Sequence, residues 1–169
     1  MSPAIQRSWS TGHGSYAFAG IAAFEGGATS FLAEGARRNE RLMLVADDPR
    51  RDLWPKSLID RGDLVIASTA EVYGAMRMVD AVSQREIFAL ALSEALQMGY
   101  GGIRVAADNT SLIEGSERLE AWGGWETLAE EFMATSPMTS LCSFDRSRID
   151  AGTLRAVLEM HRIVVSRDE

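Results

Sequence analysis

With 169 residues, 46% of them hydrophobic and 24% charged, the chain has the composition of one soluble globular domain and not of a disordered tail. A net charge of −7 repels nucleic-acid phosphates and anionic membrane surfaces, which argues against direct binding to either. The lone cysteine, Cys142, excludes an internal disulfide, and MSPAIQRSWS holds no apolar stretch long enough for a signal peptide or membrane span, so a cytoplasmic location is expected.

Strand-like and helix-like apolar periods alternate along the chain, the pattern of β-α-β units. The predicted fold is a three-layer α/β domain, a mostly parallel central sheet with helices on both faces. It spans residues 12–165, with 1–11 as an N-terminal extension and 166–169 as a tail. A short strand is predicted over 15–18, with His13 just before it, and then a helix to about Arg38 from the spacing of Ile21, Phe24, Ala28, Phe31 and Gly35. The buried strand RLMLVA, 41–46, ends at Asp47 and Asp48, and Pro49 starts a short helix through Trp54, Leu58 and Ile59. Residues 63–67 form the next strand, followed by a polar connection with Glu71, Tyr73, Met76 and Arg77.

The helix over 79–98 has so broad an apolar surface that central packing is expected. The strand 103–106 runs into a polar corner headed by Asp108, and a helix over 116–134 follows with Leu119, Trp122, Trp125, Ala129, Phe132 and Met133 on one side. Beyond Pro137 lie the strand MTSLCSF, then Asp145 and Arg146, a helix N-capped by Asp150 and ending near His161, and a last strand over 163–165.

In a parallel sheet, ligands bind where the carboxyl ends of the strands open onto a crevice. Asp47, Asp108 and Asp145 all follow strands and are therefore candidate ligand-binding residues. Asp108 equally suits a turn cap, since Asp hydrogen-bonds readily to its own backbone. Arg104 interrupts an apolar strand, and a buried guanidinium demands a carboxylate partner or a ligand. Metal ligation is not predicted, because His13 and His161 are the only histidines and form no closely spaced pair. His161 suits a helix C-cap. Cys142, in an apolar strand, reads as a small buried hydrophobe rather than a nucleophile.

Five segments taken in order, GHGSYAF, FLAEGARRNERLMLV, RVAADNTSL, WETLAEEF and SLCSFDR with a following helix that ends in a histidine, resemble the MEDS domain, the methanogen/methylotroph DcmR sensory domain. The resemblance runs over about 12–165. The family is similar in turn to RecA and KaiC-like ATPases, whose FLxxGxxxGExxLxV pattern is echoed from Phe31 to Val45, but it lacks the P-loop lysine, as this chain does. Asn39 stands where glycine is usual and Arg162 where proline is common. The resemblance implies a bacterial signal-transduction or transcription-regulation setting and a non-catalytic domain that senses small molecules. No DNA-binding or kinase module is visible in this sequence, so the signal is expected to pass by protein contact, with a regulatory partner and a homo-oligomer as the options.

The predicted ligand pocket collects His13, Tyr16, Asp47, Arg104, Asp108, Trp125, Glu126 and Asp145, an aromatic wall with a few polar groups. No cofactor can be named. Two other functions stand beside this one. In a nucleotide hydrolase, Asp108 would hold Mg²⁺, Asp47 or Asp48 would orient water, and Glu25 to Ser30 (EGGATS) would be a decayed phosphate loop, although nothing neutralises the phosphates. In a ligand-free interaction module, an exposed edge or apolar patch would do the work.

Overall fold

A computed structural model describes residues 12–161 and 163–165; the extension, Arg162 and the tail lie outside the described residues. The strands are β1 (Gly12–Phe18), β2 (Glu40–Ala46), β3 (Leu64–Ser68), β4 (Gly102–Asp108), β5 (Met138–Asp145) and β6 (Ile163–Val165). They form one six-stranded sheet in the order β3-β2-β4-β5-β1-β6, and every pairing is parallel. The helices are α1 (Ile21–Arg37), α2 (Lys56–Asp60), α3 (Thr69–Tyr73), α4 (Ala81–Gln97), α5 (Ser116–Thr135) and α6 (Ala151–Glu159).

Successive side chains of a strand point to opposite faces, and this alternation divides the core in two. Leu42, Leu44, Ala106 and Leu141 meet Phe24, Phe31 and Leu32 of α1, with Leu58 and Ile59 of α2 beside them. On the other face Val105, Ala107, Cys142 and Phe144 meet Phe88 and Leu92 of α4, Trp122 and Trp125 of α5, and Val157 of α6. The expected three layers are present.

Two positions explain how the layers close. Gly35 of α1 packs so tightly on the sheet that a Cβ there would lie 2.7 Å from both Arg104 Cδ and Leu42 Cδ2. Asn39, in the turn into β2, has φ 56°, a left-handed conformation that asparagine tolerates better than most residues. Its Nδ2 donates to the Gly99 carbonyl at 3.0 Å, so it fills a turn position that suits glycine and adds a link to the turn before β4.

Several boundaries differ from the sequence reading. β1 begins at Gly12, because its ladder to β5 starts at the Gly12–Thr139 pair, and His13 therefore lies inside the strand. The helix read from Pro49 to Ile59 is a 3-10 turn (Arg51–Leu53) followed by α2; Pro55 holds Trp54 extended at ψ 145° and splits the two. The connection after β3 contains α3, started by a capping box in which Ser68 and Glu71 satisfy each other's backbone amides. The helix over 79–98 is not central. Only Gln84, Phe88, Leu92 and Ala95 of α4 are buried, while Val82, Ile87, Leu90 and Leu96 are exposed, because its partners α5 and β4 cover one side only.

Candidate functional site

Adjacency of β2, β4 and β5 brings Asp47, Asp108 and Asp145 to the carboxyl edge of the sheet. There each is engaged by its own neighbours. Asp108 Oδ1 accepts from the Thr110 amide at 3.0 Å and the Thr110 hydroxyl at 2.6 Å, and that hydroxyl accepts from the Asp145 amide at 2.9 Å. Asp145 Oδ1 accepts from the amide (2.9 Å) and hydroxyl (2.6 Å) of Ser147. The Ser111 hydroxyl donates to Asp47 Oδ1 at 2.8 Å, and Arg77 Nε stands 3.4 Å from the same oxygen. Asp108 thus makes the hydrogen bonds of a turn cap. Burial raises its pKa against the pull of the Thr110 bonds, with Asp47 adding to the rise. For Asp145 burial also pushes up, but the Ser147 bonds and the Gly20 amide outweigh it and the pKa is lowered.

The Gly20 contact bears on phosphate binding. Only Ala19 and Gly20 join β1 to α1, and Asp145 already takes the Gly20 amide. Glu25 to Ser30 is not a loop at all but part of α1, its amides engaged in the helix and the Thr29 and Ser30 hydroxyls bonded back to Glu25 and Gly26 carbonyls. Lys56 is exposed on α2 and paired with Asp60 at 2.6 Å.

Tyr16 and Arg104 lie on the α1 face, away from His13, Trp125 and Glu126. The Tyr16 ring is buried against Gly27. Arg104 has the carboxylate partner its burial demands: Nε donates to Glu40 Oε2 at 2.5 Å and the guanidinium sits 4.7 Å over the Phe31 ring.

His13, Trp125 and Glu126 meet on the opposite face, beneath α5, around a small cavity also lined by Tyr73, Phe88 and Met133. The cavity has room for about one water molecule. Glu126 is not at a rim. It is 4% exposed and directed at the sheet, because the α5 stripe of Trp122, Trp125, Ala129 and Met133 carries it inward. Its Oε2 lies 3.2 Å from His13 Nε2 and 3.0 Å from His161 Nε2. His13 Nε2 is also 3.2 Å from Cys142 Sγ, and Cys142 Sγ is 4.0 Å from Glu126 Oε1. The two imidazoles stand edge to face with centroids 4.3 Å apart. His161 does close off its helix as expected, its Nδ1 bonding the Val157 carbonyl at 2.8 Å, while its other nitrogen joins the cluster.

Burial dominates the electrostatics of this cluster. It pushes the pKa of His13 down to about 4, with Glu126 pulling upward and His161 adding to the fall. It drives the Cys142 thiol well up, and Glu126 drives it further. A neutral imidazole beside a protonated, buried thiol is a poor nucleophile pair. Sequence spacing could not reveal the cluster, since its members come from β1, α5, β5 and the end of α6. The signal that did exist is that all four residues fall in segments that carry the family resemblance.

Fold and cluster together define an all-parallel three-layer α/β domain with a buried polar cluster between sheet and helices. The chain belongs to the MEDS family, the methanogen/methylotroph DcmR sensory domain, whose profile matches residues 13–162. No curated protein matches it. No helix among the described residues is long and apolar enough to cross a membrane.

Proposed function

We propose that this is a non-catalytic sensory domain that takes a small ligand into the space beneath α5 and reports its presence by contact with a regulatory protein. One observation carries the reading: four chemically versatile side chains, His13, Glu126, Cys142 and His161, converge inside the protein, three of them on the wall of an aromatic-lined cavity. Burying such groups costs stability that an ordinary apolar core would not lose. The size of the cavity restricts the ligand to an ion or a molecule about the size of one water. The exposed Val82, Ile87, Leu90 and Leu96 of α4, the helix that packs on α5, support signalling by contact.

A second reading keeps the ligand at the carboxyl edge, favoured by the gathering of Asp47, Asp108 and Asp145. A thermal-shift screen separates the two, because a ligand of the native state raises the melting temperature by mass action. A hit abolished by Ala129→Leu, which fills the cavity, and retained by Asp108→Asn supports the internal site. The reverse pattern moves the site to the edge. Nucleotide hydrolysis has the least support, given the two-residue passage from β1 to α1 and the exposed, paired Lys56; Mg-ATP turnover lost in Asp108→Asn would reinstate it.

A further inference from the structure

We propose that His13, Glu126, Cys142 and His161 are the ligands of one tetrahedral divalent transition-metal ion of the zinc class, an inference that names the chemistry of the internal site proposed above and rests on that location.

Geometry is the first argument. For metal–ligand bonds of about 2.0–2.3 Å, the edges of a tetrahedral site are about 3.3–3.8 Å long. The closest approaches here are 3.0, 3.2 and 3.2 Å, with the Cys142–Glu126 pair at 4.0 Å, and all four donor atoms lie within 4.8 Å of one another. Bound cation would need only sub-ångström spreading of the closest pairs.

The second argument is hydrogen bonding. A carbonyl oxygen only accepts, so His161 Nδ1 must carry the proton that bonds Val157, and in the neutral ring this leaves the Nε2 lone pair facing the Glu126 carboxylate. Neither His161 Nε2 nor Glu126 Oε2 has a hydrogen-bond partner, although both are buried. Two buried acceptors 3.0 Å apart repel unless a proton or a cation lies between them. A proton would serve that pair alone, whereas a metal ion would serve all four groups. The second shell also suits a metal: Val157 fixes one imidazole, and Glu130 Oε2, 3.4 Å from His13 Nδ1, stands on the far side of the other.

Charge is the third. A divalent ion with one thiolate, one carboxylate and two neutral imidazoles is electrically neutral, the condition a site this deeply buried requires. Two nitrogens, a sulfur and an oxygen favour zinc or cobalt(II) over magnesium or calcium.

The test is a cobalt(II) and zinc(II) titration of the full chain after treatment with a chelator. Cobalt is expected to bind with a stoichiometry of about one, to give the visible absorption of a tetrahedral ion and a near-ultraviolet thiolate-to-cobalt band, and to be displaced by zinc. Because Cys142 is the only cysteine, that band assigns the sulfur ligand without any variant. Cys142→Ser should abolish it, and His161→Gln should weaken zinc binding more than about 100-fold, beyond the loss caused by removing an orienting partner. Folded wild-type protein that takes up neither metal, cobalt bound without the thiolate band, or affinities unchanged in both variants would each overturn the site. A small-molecule hit that Ala129→Leu abolishes in a metal-blind chain would leave the internal sensory site standing without its metal.

Discussion

Two glycine-to-alanine substitutions in α1 should have opposite signs. Replacing a helical glycine by alanine ordinarily stabilises by about 0.5–1 kcal/mol, since the backbone has less freedom to lose. Gly26 is exposed and a Cβ there meets nothing within 4 Å, so Gly26→Ala should gain that amount. At Gly35 the new Cβ would sit 2.7 Å from Arg104 Cδ and Leu42 Cδ2. Arg104 has little room to yield, because it is fully buried, bonded to Glu40 at 2.5 Å and stacked on Phe31. Overpacking of this kind costs about 1–3 kcal/mol, which leaves Gly35→Ala a net destabilisation of about 0.5–2 kcal/mol. The two variants should then differ by about 2 kcal/mol, or about 1 M in urea midpoint at a slope near 2 kcal/mol/M. Equal midpoints, or a Gly35→Ala protein more stable than wild type, would refute the close packing of α1 on β2 and β4.

Leu92→Ala should cost about 2–4 kcal/mol in urea melts, while truncation of the half-buried Phe132 should cost less. Asp108→Asn should leave stability within about 0.5 kcal/mol, since an amide oxygen still accepts both Thr110 bonds, whereas Asp108→Ala strands the Thr110 amide and should cost about 1–3 kcal/mol. Metal-free protein should lose stability on acidification between pH 6.5 and about 4, where the unfolded chain protonates His13 and the folded one does not. The loss approaches about 3 kcal/mol at the acid end and is absent above the ordinary histidine range. Urea midpoints measured across that range check it, and His13→Gln should flatten the step.

The alternation of apolar periods was enough to determine the layered α/β fold, because period 2 and period 3.6 patterns are local and a helical crossover between successive strands lets them run parallel. Strand-end carboxylates at Asp47, Asp108 and Asp145 were legible for the same reason; that Arg104 needs a partner was legible too, but not that Glu40, and not a ligand, supplies it. The capping box at Ser68 and Glu71 was also written in the sequence, in the Ser-x-x-Glu spacing, although the five-residue helix it starts is too short to show an apolar period. What no local pattern contains is which face of a helix points inward when apolar residues line more than one side, as in α4, or that Glu126 turns inward with the tryptophans of α5. The meeting of His13 with His161 was least legible of all. It depends on β5 lying between β4 and β1 and on α6 returning over β1, a consequence of crossover order and not of spacing. The chain determined its elements and their edge chemistry, but only tertiary packing, which buries residues from four separate elements within a few ångströms of one another, created the internal cluster.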